Sequence, residues 1–409
     1  MNLWVTFRVA VRALLRNKTR SGLTALGIVI GVAAVIAMVA IGEGAKVKVA
    51  QAFDAMGTNL LIVTSGSSHG GGMRGGHGSM PTLTWGDLQA VRSDISTVKY
   101  AAPVCQTNAS MQSDEQNWTS NVVGTSPEYF DIRNWPVVKG VLFGTADLDA
   151  GTKILVMGSS VAKKLFGEDV DPVGRTVRLR GSPFTVVGLL ADKGQGPMGQ
   201  DYDDVVVMPV STFRAKIQGG LGQFIPGVIF VGATSAKTTT RTGRDIGDLL
   251  RDRHRIQAGL EDDFSVRNLS ELAGASQQGT QIMTTLLAAV AAVSLLVGGI
   301  GIMNILLVSV TERTREIGVR MAIGAKPRNI LAQFLVEALT LSVIGGLIGI
   351  GLGILIAQQL AASFQWPLLI RPDVIVVAVG FSAAIGIGFG LYPAWKASRL
   401  DPIDALRYE

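Results

Sequence analysis

Residues 23–42, 281–310, 330–370 and 374–395 hold between them a single charged side chain, Glu337. Each run reaches the roughly 20 residues that an α-helix needs to cross a bilayer. Buried helices of a soluble protein would carry a polar face at helical period, and these runs do not. The sequence therefore predicts an α-helical membrane protein with four transmembrane helices. Composition agrees, because only 17% of the 409 residues are charged, where a soluble domain has about 25%. The run 330–370 is longer than one crossing. Gln358, Gln359, Ser363 and Pro367 mark its later part as an exit, with the helix ending near Ala362 and a short loop through Arg371 and Pro372.

Basic residues near the helix ends set the orientation. Arg8, Arg12, Arg16, Lys18 and Arg20 precede the first run. Arg313, Arg315, Arg320, Lys326 and Arg328 stand between the second and third, against Glu312 and Glu316. Lys396, Arg399 and Arg407 follow the fourth. With four spans all three groups lie on one side, the cytoplasm. Residues 46–271 then lie outside, and their 23 basic and 23 acidic residues cancel. The net charge of +6 thus belongs to the membrane part and its cytoplasmic ends, which points to inner-leaflet lipids and not to nucleic acid. A cleaved signal peptide is the rival reading of the N-terminus, but its apolar core would be about 7–15 residues, shorter than this one. The single cysteine, Cys105, can form no intramolecular disulfide and reads as a buried free thiol.

Residues 1–20 read as an amphipathic helix on the inner interface, with Leu3, Trp4, Phe7, Val11, Leu14 and Leu15 opposite Arg8, Arg12 and Arg16. The outer segment begins and ends with matched β-α-β patterns, over 59–104 and 227–269. Between them RTVRLR, the turn GSP and FTVVGLL read as a hairpin in a β-rich stretch. The expected organisation is a transmembrane helix over 21–45, an α+β subdomain over 46–105 and 223–275, and an inserted β-rich subdomain over 106–222. Transmembrane helices follow over 276–310, 329–362 and 373–395, with a cytoplasmic segment at 311–328 and a tail at 396–409. The Gly/Ser-rich residues 66–79 read as a flexible loop.

No phosphate-cradling G-x-x-x-x-G-K-[ST], H-E-x-x-H, paired cysteine or G-x-S-x-G is present, so ATP hydrolysis, zinc-protease and esterase chemistry have no sequence basis. His69, His77, Met73 and Met80 are spaced irregularly, and no metal site is assigned to them. Asp201, Asp203 and Asp204 read as a solvated turn before the strand VVVMP and not as a calcium site. In the spans, Gly345, Gly349 and Gly353 make two G-x-x-x-G steps in register, and Gly27 with Gly31 and Gly386 with Gly390 make one each. Such faces let helices approach closely in lipid. Glu337 lies nine residues past Arg328, about 13 Å along a helix, and reads as an intramembrane polar anchor pointing at protein.

The segment TERTREIGVRMAIGAKPRNI closely resembles the coupling segment of macrolide-exporter-type ABC transporter permeases, the MacB family. The likeness extends to RVAVRALLRNKTRSGLTALGIVIGVAAVIAMVAIGEG, VGTSPEYFDIRNWPVVKG, LFGEDVDPVGRTVRLRGSPFTVVGLL, GQDYDDVVVMP and YPAWKASRLDPIDALRYE. The resemblance implies a permease architecture with a large periplasmic domain in the cell inner membrane, and export driven by ATP that a separate ATPase subunit binds, with no cofactor in this chain. It implies a second copy of this chain, a periplasmic adaptor protein and an outer-membrane channel as partners. Fused family members carry the nucleotide-binding domain before the amphipathic helix, and this sequence starts almost at that helix. The resemblance also implies ATPase coupling by Glu312, Arg313, Arg315, Glu316, Ile317, Arg320 and Met321. Thr311 before Glu312 reads as a helix cap with an acid in the first turn, and Val319 and Ile323 read as further apolar contacts. A lipoprotein-release permease, a non-transporting signalling or scaffold protein and an intramembrane enzyme are the alternatives.

Overall fold

The structure, a computed structural model, describes residues 18–407 except 58, 67, 68, 71, 72, 75–80, 115, 169, 197, 198, 220, 221, 258 and 365. In chain order the elements are α1 (Lys18–Met56), β1 (Leu60–Ser65), β2 (His69–Gly70), β3 (Met73–Arg74), α2 (Trp85–Asp94), β4 (Val98–Gln112) and β5 (Asn117–Thr125). Next come α3 (Glu128–Ile132), β6 (Val137–Gly140), α4 (Thr145–Ala150), β7 (Ile154–Met157), α5 (Ser159–Phe166), β8 (Thr176–Leu179) and β9 (Ser182–Leu190). The strand β10 (Val205–Pro209), α6 (Val210–Phe213), a π-turn, β11 (Val228–Ala233), α7 (Thr239–His254) and β12 (Phe264–Asn268) complete the outer segment. The chain ends with α8 (Leu269–Glu312), α9 (Thr314–Ala322), α10 (Pro327–Phe364), α11 (Pro372–Ser398) and α12 (Pro402–Arg407). Two compact units emerge, Met1–Lys48 with Gln277–Glu409, and Val49–Ser276. The amphipathic helix expected over 1–20 lies outside the described residues except for its last three, which begin α1. The 66–79 loop does so for the most part; within it β2 and β3 pair antiparallel.

The first unit holds the four spans: α1, α8, α10 and α11 are all long and apolar enough to cross a membrane. The helices overrun the expected spans. α1 continues to Met56 and not to residue 45, because residues 43–56 are good helix formers and Glu43 and Lys46 add an i,i+3 ion pair at 2.9 Å. α8 starts at Leu269 and not at 276, because the Asn268 side chain caps it by accepting the Ser270 N–H at 3.0 Å.

Between the spans, glycines set the spacing. A β-carbon on Gly349 would stand 2.8 Å from the Val29 carbonyl oxygen and 2.9 Å from Val32 Cβ. On Gly353 it would stand 2.9 Å from both Ala33 O and Ile36 Cβ, and on Gly345 3.3 Å from Ile28 Cβ. The third span thus lies backbone to backbone on residues 25–36 of α1. The other side of α1 meets α8, where a β-carbon on Gly27 would be 3.0 Å from Gly298 Cα and one on Gly31 2.6 Å from Leu295 Cδ1. Gly386 faces Ser342 and Gly390 faces Ala338, which seats α11 on α10. On the outside of α8, Met283, Val290, Val293 and Val297 are exposed.

The second unit is built on one sheet of order β12-β1-β11-β4-β5-β10-β7-β9-β6, with β8 between β4 and β9. Both β-α-β patterns fold as expected, β1-α2-β4 and β11-α7-β12, and their strands are neighbours at one end of the sheet. The boundary at 105/106 falls inside β4, a 15-residue strand that pairs with β11 before that point and with β5 from Cys105 onward. One strand therefore ties the two parts together. The β8–β9 hairpin pairs Leu179 with Ser182, so its turn is Arg180–Gly181 and not GSP. Both turn residues have positive φ, 47° and 78°, as the tightest hairpin turns require. All five residues of β10 are buried, which is why VVVMP reads as an unbroken apolar run. Cys105 is fully buried, and burial pushes its thiol up to about 12 despite the opposing charge of Arg214. The aspartate turn is not solvated throughout. Asp203 is 5% exposed and accepts the Lys193 and Gly194 N–H groups at 2.8 and 2.9 Å, because the incoming loop needs an acceptor there.

An ionic clamp joins the start of α2 to the end of α7. Thr84 and Asp87 form a capping box, and the same buried carboxylate accepts Arg253 Nε at 2.7 Å and lies 3.1 Å from His254 Nε2. The other ring nitrogen of His254 lies 2.7 Å from Asp263 Oδ1. The bond to Asp87, against burial and with help from Asp263, lifts His254 from 6.5 to about 9. Burial works to raise Asp87, but bonds from His254, Thr84 and Arg253 outweigh it and hold the carboxyl well below its usual range.

Two expectations follow from these contacts. Gly349→Leu should lower stability in detergent by about 1–3 kcal/mol through overpacking, whereas Gly351→Leu, with nothing within 4 Å of its β-carbon, should not; thermal melting of both variants checks this. The raised His254 contributes stability that is complete below 6.5 and lost as pH rises through about 9. The depressed Asp87 contributes stability present above 3.8 and lost as pH falls below it. Melting of the purified protein should therefore drop between pH 6.5 and 9.5, and His254→Gln should melt lower at pH 6.5 and show a flatter decline.

Candidate functional site

The charged segment between the second and third spans is a helix with two distinct faces. α8 runs through Thr311, whose hydroxyl donates back to the Val308 carbonyl at 2.7 Å, so Thr311 caps nothing. The break falls at Arg313, which leaves helical geometry (φ −105°, ψ 14°) and precedes α9 without a side-chain cap. Thr311 sits too early because the apolar helix propagates two residues further than its composition suggests. α9 ends where Gly324 adopts φ 101° and the Ala325 N–H bonds the Arg320 carbonyl at 3.0 Å. Pro327 then opens α10 in the position that costs a helix nothing.

Thr314, Ile317 and Gly318 are buried and Met321 is half-buried, spaced i, i+3, i+4, i+7 along one stripe. That stripe packs on the C-terminal helix α12: a β-carbon on Gly318 would stand 2.7 Å from Ala405 Cβ, and Ala405 is 2% exposed. Ile317 and Met321 are thus occupied within this chain. The opposite stripe holds Glu312, Arg315, Glu316, Val319 and Ile323, all exposed, with Ile323 at 83%. Lys326 and Arg328 are exposed beside it.

The arginines divide in the same way. Arg313 turns inward, its Nη1 3.4 Å from Glu337 Oε2. Glu337 is 4% exposed, so the one acidic group of the apolar runs is held against protein by the residue that breaks the helix. Arg320 donates to Gln333 Oε1 at 3.0 Å and pairs with Glu316, which ties α9 to α10. Arg315 alone of the three extends outward with no ion pair among the described residues. The periodicity that separates the two stripes is present in the sequence as Thr314, Ile317, Gly318 and Met321; the α12 contact that covers them has no local signature.

Residues 21–249 match the family described as MacB-like periplasmic core domain, and residues 288–402 match the FtsX-like permease C-terminal family. The chain is 38% identical over 455 aligned residues to a macrolide export ATP-binding/permease protein MacB of Syntrophobacter fumaroxidans, covering 99% of this chain and 64% of that protein. It is 42% identical over 402 residues to the protein of the same name from Azoarcus sp., covering 98% and 59%. The chain thus spans about three-fifths of the length of the curated relatives it matches. The crystal structure of the periplasmic region of MacB from Actinobacillus actinomycetemcomitans aligns with 56% of this chain and 98% of its own, at 22% identity and a TM-score of 0.45.

The Arg313–Glu337 pair makes a testable demand. Glu337 is buried and Arg313 only half-buried, so each single replacement should cost less than the about 3–5 kcal/mol of a fully buried pair, and replacing both should cost less again. Glu337→Gln and Arg313→Gln should each lower melting more than the double variant does, with a coupling of about 1–3 kcal/mol in the four-way comparison.

Proposed function

This chain belongs to the MacB family of ABC transporter permeases, and from that membership we propose that it is the membrane permease of an export system, non-catalytic itself, that couples ATP hydrolysis on a partner to movement of its periplasmic domain. It is an inner-membrane protein with four spanning helices and a large domain outside. The relatives' names join ATP binding to permease, and the 409 residues contain no phosphate-binding loop. The ATP-binding function therefore comes from outside these residues. A second copy of the chain completes the transporter, and the exposed apolar side of α8 suits contact with it. The outer domain engages a periplasmic adaptor protein and, through it, an outer-membrane channel.

The observation that carries this reading is the outward stripe of α9. Arg315, Val319 and Ile323 stand in cytoplasmic water with no role in the fold of their own unit, while the stripe behind them is fixed by α12. A cation flanked by two exposed apolar side chains offers a partner both a charge to pair and an apolar centre to bury. The coupling set read from the sequence accordingly narrows to Glu312, Arg315, Glu316, Val319 and Ile323. Arg313, Ile317, Arg320 and Met321 hold the helix in place.

Arg315→Ala combined with Ile323→Ser tests the reading. Exposed residues of this kind change stability by only about ±0.5 kcal/mol, so membrane levels should stay normal. At a docking surface each central residue can cost more than about 1 kcal/mol, so recovery of the ATP-binding partner from permease-matched membranes should fall about fivefold or more, and export with it. Full recovery with full export would place the docking surface elsewhere.

A further inference from the structure

The last turn of α1 belongs to the outer unit, and its seat there is built from distant segments. Phe53 and Met56 pack against the apolar cluster that holds Ile132 and Trp135. Directly after the helix, Gly57 adopts φ 119°, and a β-carbon on it would stand 2.5 Å from the Ile132 carbonyl oxygen. The short helix α3 therefore ends against the end of α1. Both helices finish with main-chain carbonyls that no further turn can satisfy.

One side chain serves both ends. Lys193, from the segment between β9 and β10, donates from Nζ to the Ala55 carbonyl at 2.6 Å and to the Arg133 carbonyl. These acceptors lie 138 and 60 positions away along the chain. An ammonium suits the place. It carries three donors, and the C-terminus of a 39-residue helix presents it with partial negative charge. The Trp135 ring centre lies 5.2 Å from Nζ and adds its electron-rich face. Among the described residues Lys193 has no ion pair, so carbonyls stand where a carboxylate otherwise would. The side chain also starts from an anchored backbone, since the Lys193 N–H donates to Asp203 Oδ1 at 2.8 Å.

We propose that Lys193 is a positioning residue that fixes the outer end of the first membrane helix, and that movement of α1 enters the outer unit through this contact. The inference rests on the coupling role proposed above, and the first part of its test needs neither ATP nor a partner. Lys193→Cys in the full-length protein supplies a thiol that can be alkylated selectively, because Cys105 is fully buried. Bromoethylamine then rebuilds an ammonium of lysine length, whereas iodopropane rebuilds the length without the charge. Hydrogen–deuterium exchange of residues 49–57 reads the seat as local opening. Exchange there should rise about tenfold or more in Lys193→Cys, return close to wild type after aminoethylation and stay raised after propylation. Unchanged exchange in Lys193→Cys, or equal recovery with both reagents, would overturn the assignment. If Lys193→Cys fails to fold, Lys193→Arg against Lys193→Met decides, with wild-type exchange expected in the first alone. Reconstituted with the ATP-binding partner, Lys193→Cys should hydrolyse ATP normally but export about threefold less or lower per ATP, with recovery on aminoethylation. Raised exchange with export unchanged would overturn the role of Lys193 and leave the coupling surface on α9 standing, because that surface is tested by recovery of the partner.

Discussion

Backbone contact between the first and third spans is the constraint on which the membrane unit rests. Lipid tails are as apolar as the helices, so burial alone gives no reason for one span to choose another. Close van der Waals approach supplies that reason, and only glycine permits it at Gly349 and Gly353, where a methyl group would meet the carbonyls of Val29 and Ala33. Because α1 also meets α8 through Gly27 and Gly298, it serves as the common neighbour of two other spans. The fourth then packs on the third through Gly386 and Gly390. Four largely apolar helices are thereby ordered by where side chains are missing.

Charge does the complementary task at the ends of those helices. Arg313 breaks the long second span and returns its guanidinium to Glu337; Arg320 fastens the following helix to the third span. These internal contacts hold α9 with one stripe against α12 and the other in water. The outer unit uses the same device away from lipid, where Asp87 gathers a backbone cap, Arg253 and His254 at one carboxylate. Arg133 differs from these residues, since it is buried among the rings of Tyr202, Trp135 and Tyr129 and has no ion pair among the described residues.

Much of the candidate site was legible. The seven charges between two apolar runs place residues 311–329 in cytoplasmic water, and the stripe of Thr314, Ile317, Gly318 and Met321 follows helical period. What the sequence could not disclose is that α12, six residues far along the chain, covers that stripe and takes Ile317 out of reach of a partner. The start of α9 was also displaced, because a hydroxyl beside an acid looks like a cap whether or not the preceding helix has stopped.

Sequence alone determined the four spans, their orientation, both β-α-β patterns and the β8–β9 hairpin, since each is written in neighbouring residues as length, charge bias or period. Tertiary structure alone decided which helix fills each glycine face, how one strand carries the sheet across both parts of the outer unit, and why Asp203 is buried while Asp201 and Asp204 accept from side chains of α5 and β5. It alone brought Tyr202 over Arg133, from 69 positions along the chain. Those outcomes depend on contacts between distant segments, whose energies arise only once the backbone has brought them together, and no local pattern encodes the partner.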